Sequence, residues 1–136
     1  MRMISALIAS AALISCTTAP PAPTRTAQSE HEFQQLLIGK VAQRPISCLP
    51  HYQSGDMRVI DDNTIAFKDG GRVYINYMQG GCTNLSIGHN ALVTRQFGSA
   101  DLCRGDIAHV VDTLNGFTVG SCVFGDFVPY VRPGRG

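Results

Sequence analysis

The stretch that decides the fold runs from Met57 to Met78 and reads MRVIDDNTIAFKDGGRVYINYM. Apolar and polar residues alternate along it in three runs, which end at Ile60, Lys68 and Met78. Alternation with a period of two is typical of half-buried strands. The runs are separated by Asp-Asp-Asn at 61–63 and Asp-Gly-Gly at 69–71, which have the composition of tight turns. The stretch therefore predicts an antiparallel meander of three strands.

Further strands are predicted on the C-terminal side of the meander. Ala91 to Phe97 is a weak candidate, whereas Ile107 to Leu114 and Phe117 to Phe124 are stronger. Asn115-Gly116 separates the last two and predicts a tight turn in which both residues have positive φ. Residues 126–130, DFVPY, predict a strand at a sheet edge, where proline is tolerated. The pattern predicts a mainly β fold, a small antiparallel barrel or sandwich.

One helix is predicted before the meander. Ser29 and Glu32 have the spacing of a capping box, and apolar residues then recur at helical spacing as far as Val41. Pro45 follows, and helices seldom continue into the residue before a proline. We expect a short helix from Glu30 to Lys40 that covers an open end of the β domain.

The N-terminus reads MRMISALIASAALISC and has the features of a signal peptide. Arg2 precedes an apolar run that is too short to span a membrane, which takes about 20 residues. Leu13 to Cys16 resembles a lipobox, so residues 1–15 are predicted to be removed and Cys16 to carry lipid. Thr17 is similar to the residue that follows the lipidated cysteine in lipoproteins of the outer membrane. We therefore expect a lipid-anchored protein of the bacterial envelope that faces the periplasm.

The remaining chain is expected to form one domain with a tether. Removal of 15 residues from 136 leaves 121, enough for a single core. Residues 16–28 contain the lipidated cysteine and a segment rich in proline and threonine, a composition typical of an extended tether. Residues 29–131 are expected to form the domain, and residues 132–136 a tail.

Four cysteines remain when Cys16 is lipidated. In an exported protein, Cys48, Cys82, Cys103 and Cys122 predict two disulfides, and three connectivities exist. We favour Cys82–Cys103, because both lie at strand ends, with Cys48–Cys122, which ties the first segment of the domain to its last strong strand. Cys48–Cys103 with Cys82–Cys122 is the alternative left open. A zinc site is disfavoured because the cysteines do not form the close pairs that zinc sites use.

Composition and motifs indicate no catalytic, metal or cofactor site. The chain has 11 basic and 10 acidic residues, no basic stripe and no tryptophan, so we expect no nucleic-acid partner. Asp61-Asp62 is interpreted as a turn, since adjacent side chains of an extended chain point to opposite faces. Asp106 is expected to bind backbone amides at the start of the next strand. His109 alternates with apolar neighbours and is expected on the inner face of its strand.

From Ser47 to Tyr130 the chain resembles a family of short proteobacterial envelope proteins of unknown function. This resemblance implies a secreted or lipid-anchored domain and supplies no activity, substrate or catalytic residue. The residues that carry it are Ser47-Cys48-Leu49-Pro50, Asp61-Asp62-Asn63-Thr64-Ile65, Gly71-Arg72-Val73-Tyr74, Gly81-Cys82 with Asn84-Leu85, Leu102-Cys103-Arg104-Gly105-Asp106, and Cys122 with Gly125-Asp126-Phe127.

These observations favour a non-catalytic domain that binds or scaffolds at the envelope, with a membrane contact through its lipid and an envelope protein or glycan as partner. One alternative is an inhibitor of a lysozyme-like hydrolase, with Tyr52-Gln53-Ser54-Gly55 as its binding loop. A second alternative is a small hydrolase, which requires a cleft with convergent titratable groups; His109 beside Asp106 or Asp112 in an open pocket would favour it.

Overall fold

The computed structural model describes residues 25–49, 56–95 and 101–134. In this part of the chain, one helix, α1 (Ala27–Leu37), is followed by ten strands. The strands are β1 (Val41–Ala42), β2 (Cys48–Leu49), β3 (Met57–Asp61), β4 (Thr64–Asp69), β5 (Arg72–Tyr77), β6 (Asn90–Thr94), β7 (Leu102–Cys103), β8 (Ile107–Asp112), β9 (Thr118–Val123) and β10 (Phe127–Val131).

The predicted meander is confirmed and forms most of a first sheet, with strand order β1-β10-β5-β4-β3. Asp61 pairs with Thr64, and Asp69 pairs with Arg72, so both connections are two-residue turns. The strand around Pro129 was predicted at an edge and instead lies between β1 and β5. This position is compatible with proline because β1 is very short.

The remaining strands form a three-stranded sheet, β6-β8-β9, and a two-stranded sheet, β2-β7. The three-stranded sheet packs on one face of the first sheet through a common apolar core. Phe67 lies at the centre of this core, with its ring centroid 6.4 Å from that of Phe124 and 5.8 Å from that of Phe127. The fold is therefore mainly β and sandwich-like, and its sheets do not close into the barrel that was the other expectation.

Helix α1 covers the opposite face of the first sheet, not an open end of the fold. Its buried Phe33 packs with apolar residues of β3, β4 and β5. The helix runs from Ala27 to Leu37, three residues earlier than predicted at both ends. The expected capping box at Ser29 is wrong, because Thr26 is the N-cap and its Oγ1 accepts a hydrogen bond from Ser29 N at 3.1 Å. The helix thus begins inside the segment interpreted as tether.

The four cysteines form two disulfides, Cys48–Cys103 and Cys82–Cys122, so the favoured pairing was wrong and the alternative is confirmed. The first bond joins the register partners of β2 and β7, whose Cα atoms are 4.0 Å apart. Strands of two residues have no visible periodicity, so the sequence did not predict this pairing. The second bond joins β9 to the turn that follows the meander, with a Cα–Cα distance of 4.8 Å.

Candidate functional site

A cluster of cationic side chains lies toward the end of the first sheet where β4 turns into β5. Lys68 and Arg72 flank that turn, since Lys68 pairs with Val73 and Asp69 with Arg72. Lys40, three residues after the end of α1, lies at the same end, and so does Arg132, the residue after β10. We call this cluster the basic surface; it consists of Lys40, Arg58, Lys68, Arg72 and Arg132.

Two adjoining clefts shape the basic surface. The first has a volume of about 520 Å³ and is lined by all of its members except Arg58. The second, of about 370 Å³, lies between α1 and the sheet and is lined by His31, Glu32 and Arg58 among others. Lys68 lines both clefts, so the basic surface is long enough for an extended ligand.

The charges of the basic surface are only partly balanced. The two clefts contain two carboxylates, Asp69 and Glu32, against five cations. Among the ion pairs of the described residues, none involves Lys68, Arg72 or Arg132. Clefts lined by charge of one sign concentrate counter-ions, and the ligands that match lysine and arginine are carboxylates and phosphates. No sequence motif pointed to this surface, because its members are scattered along the chain.

A second exposed feature is the loop between β8 and β9. The predicted hairpin of these strands is confirmed, but its tight turn is wrong, because Gly116 has a φ of 75° and Asn115 is not among the residues with positive φ. The loop instead folds around Asp112, whose carboxylate accepts bonds from the Leu114 and Asn115 amides and the Asn115 side chain. The Asn115 side chain, followed by these amides, lowers the pKa of Asp112 below its usual value. Leu114 and Phe117 are left 73% and 71% exposed.

Among the described residues, no hydrogen bond or ion pair joins His109 to Asp106 or Asp112, the pairs that would favour a hydrolase. His109 was expected on the inner face of β8, but it is exposed, because the neighbouring Ala108 and Val110 take the buried positions. Asp112 has a different histidine near it, His89, with Nε2 3.9 Å from Oδ2. The arrangement of His109 that would favour a hydrolase is therefore not formed, and the hydrolase alternative itself stays a prediction.

The aspartates singled out in the sequence serve the backbone. Asp61 Oδ1 accepts a hydrogen bond from Asn63 N at 2.7 Å, which confirms the turn. Asp62 Oδ1 accepts one from Ser86 N at 2.7 Å. Asp106 binds the amide of Cys103, at 2.8 Å, in the strand before it and not in the strand after it as expected. Each of these carboxylates organises a turn.

Arg25 is a structural residue that the sequence did not reveal. Its guanidinium donates to Asp61 at 2.6 Å, and to Glu30 and Thr64 at 3.1 Å each. It also lies over the Phe33 ring, 4.1 Å from the centroid. Burial lowers the pKa of Arg25, but the bonds to the two carboxylates outweigh this effect and raise it. The segment that leads to Cys16 is thus held to the domain at Arg25.

Two predicted features lie outside the described residues: the signal peptide with Cys16, and the loop Tyr52–Gly55. Within residues 25–49, 56–95 and 101–134, no group of three or more histidine, cysteine, aspartate or glutamate side chains has the arrangement of a metal site. In the same ranges, no helix has the length and apolarity needed to cross a membrane. Comparison with protein-family models, curated proteins and solved structures found no match.

Proposed function

We propose that this protein is a lipid-anchored, non-catalytic binding domain of the bacterial envelope, and that the basic surface binds a ligand rich in carboxylate or phosphate groups. The anchor rests on the lipobox at Leu13 to Cys16 and on the resemblance to proteobacterial envelope proteins. The similarity of Thr17 to the residue after the lipidated cysteine in outer-membrane lipoproteins supports an outer-membrane location that faces the periplasm. The observation that carries the binding function is the unbalanced cationic charge along two adjoining clefts.

The chemistry of the basic surface favours a polymeric ligand. Three of its five cations are arginines, whose planar guanidinium groups donate paired hydrogen bonds to carboxylates and phosphates. An isolated surface ion pair contributes only about 0–1 kcal/mol, so a single small anion would bind weakly. A chain of anions that contacts several cations at once adds these small contributions and gains from multivalency.

No chemical step is assigned to this ligand. The aspartates that stood out in the sequence, Asp61, Asp62 and Asp106, accept hydrogen bonds from backbone amides, those of Asn63, Ser86 and Cys103 respectively. The disulfides use all four cysteines that remain when Cys16 is lipidated, so none of them supplies a thiolate nucleophile. The basic surface supplies cationic donors for recognition.

Ligand binding is tested with the full mature chain carrying Cys16→Ser, titrated with polyglutamate and with polyphosphate. The double variant Lys68→Glu with Arg72→Glu is expected to weaken binding about tenfold or more, since two attractive contacts become repulsive. The control is Arg44→Glu with Arg95→Glu, which changes net charge equally at exposed positions outside both clefts.

The proposal is supported if the affinity of the wild-type chain for the polymer falls with rising salt. It also requires that Lys68→Glu with Arg72→Glu lowers this affinity more than the control double variant does. The preferred polymer then identifies carboxylate or phosphate as the natural group. Equal losses in both double variants, or no binding to either polymer at low salt, refute the basic surface as a site.

The anchor is tested separately by metabolic labelling with a fatty-acid analogue. The wild-type chain is expected to be labelled and to sediment with the outer membrane, whereas Cys16→Ala is expected to lose the label. Equal labelling of the two chains contradicts lipidation at Cys16.

A further inference from the structure

The β8–β9 loop exposes two large apolar side chains in an ordered conformation. Leu114 and Phe117 are the most exposed large hydrophobic residues in the described part of the chain, at 73% and 71%. Single exposed apolar residues are common on protein surfaces, but two on one short loop form a projecting apolar element. The loop therefore has the composition of a contact surface.

Internal hydrogen bonds hold this loop in place and present both side chains outward. Asp112 closes the loop through its backbone, since its N–H donates to the Phe117 carbonyl at 2.9 Å and its carbonyl accepts from Gly116 N at 2.7 Å. Its carboxylate accepts from Leu114 N at 2.8 Å. A surface that is already ordered loses little conformational entropy on binding.

The loop lies at the end of the molecule from which the chain leads back to Cys16. Thr113 donates through its N–H and its hydroxyl to the His89 carbonyl, at 3.1 and 2.6 Å. His89 belongs to the segment 85–90, which shares a cleft of about 460 Å³ with Thr26 and Gln28. Ile87 in this segment is 42% exposed. We call Ile87, Leu114 and Phe117 the apolar tip.

The length of chain before the domain brings this end close to a bilayer when Cys16 is lipidated. Eight residues lie between Cys16 and Arg25, which is fixed to Asp61. A fully extended chain spans at most about 3.6 Å per residue, so the lipid holds Arg25 within about 30 Å of the membrane surface. The end of the domain that carries the apolar tip is therefore within reach of the bilayer, and leucine and phenylalanine are side chains that enter its headgroup–acyl boundary.

We infer that the apolar tip docks into the bilayer surface and orients the domain, an inference that rests on the lipid anchor of the proposed function. Arg25 binds Thr64 at one end of β4, whereas the first cleft of the basic surface lies at the other end, around Asp69. The six residues of β4 extend about 20 Å. Docking through the tip therefore turns this cleft away from the membrane.

The experiment uses single-tryptophan variants, because the natural chain contains no tryptophan. Phe117→Trp reports on the tip, and Ile107→Trp is the matched control, since Ile107 is 56% exposed at the opposite end of the same hairpin. Both lipidated chains are reconstituted into phosphatidylethanolamine–phosphatidylglycerol vesicles that contain brominated lipid. We expect a blue shift and strong quenching at position 117 and neither at position 107.

Partitioning of the Cys16→Ser chain isolates the tip from the anchor. The change of Leu114 and Phe117 to serine is expected to weaken vesicle binding of that chain about tenfold or more. If the protein carries the fatty-acid label and binds vesicles but the tryptophan at position 117 is not quenched, the inference is overturned and the anchor stands. If Cys16 is not labelled, the anchor itself is refuted. Equal quenching at positions 117 and 107 also overturns the inference. A blue shift at position 117 that appears without vesicles and depends on protein concentration overturns it too, because a second copy of the chain then covers the apolar tip.

Discussion

Arg25→Met is expected to destabilise the domain by about 2–3 kcal/mol. The side chains of Arg25 and Asp61 are only 14% and 10% exposed, and they are joined at 2.6 Å. Breaking a buried ion pair by removal of one partner costs about 3–5 kcal/mol, because a charge is left without compensation. Here Asp61 keeps its bond from Asn63 N, so the cost falls at or below the lower limit of that range. Urea unfolding with the disulfides intact measures the free energy.

The control for this variant is Arg44→Met, which removes an exposed arginine and is expected to change stability by less than about 0.5 kcal/mol. A double-mutant cycle with Asp61→Asn isolates the pair, because asparagine can still accept the Asn63 bond through its Oδ1. We expect a coupling energy of about 1.5 kcal/mol or more. Additivity within about 0.5 kcal/mol would show that Arg25 does not hold the start of α1 to the sheet.

Three further predictions concern the β8–β9 hairpin. Gly120→Ala should lower the free energy of unfolding by about 1–3 kcal/mol, because a Cβ at this position would lie 2.5 Å from the Thr83 carbonyl oxygen. The control Gly88→Ala, which has nothing within 4 Å, should not, and equal melting temperatures of the two variants would contradict this contact. Gly116→Val should destabilise by about 1 kcal/mol or more, because its φ of 75° strains a β-branched residue, and an unchanged melting temperature would argue against the loop. Since the pKa of Asp112 is lowered on folding, the stability contributed by Asp112 is present above the pKa of an unfolded aspartate and is lost as pH falls through the folded pKa. An NMR titration that gives the Asp112 carboxyl a pKa at or above the usual aspartate range would contradict this prediction.

The meander was predictable because its strands and turns are specified by residues that are neighbours in the sequence. Each turn from Asp61 to Arg72 has two residues between paired strand ends, so alternation and turn composition specify the pairing of the strands, apart from a register shift between Val59 and Asp61. The disulfide pairing was not predictable in this way. Cys48 and Cys103 meet through two strands of two residues each, and their pairing depends on long-range packing that leaves no periodic pattern.

The helix start shows how a tertiary contact overrides a valid local signal. Ser29 and Glu32 have the spacing of a capping box, yet α1 begins earlier because Arg25 binds Asp61, 36 residues away, and Thr26 then caps the helix. The basic surface was hidden for the same reason. Lys40 and Arg132 come from opposite ends of the domain sequence, and the pairing of β10 with β5 brings Arg132 to the β4–β5 turn.

The two disulfides also fix the position of the apolar tip relative to the basic surface. They interlace, because Cys82 lies within the loop closed by Cys48–Cys103 and Cys103 lies within the loop closed by Cys82–Cys122. The sequence separations of 55 and 40 correspond to about 4 kcal/mol of stabilisation each in the chain-entropy model. Cys122 belongs to the β8–β9 hairpin that carries the tip, and Cys82 follows directly on the meander that carries the basic surface. If the tip docks as proposed, a domain linked in this way transmits the orientation set at the membrane to the proposed ligand-binding end.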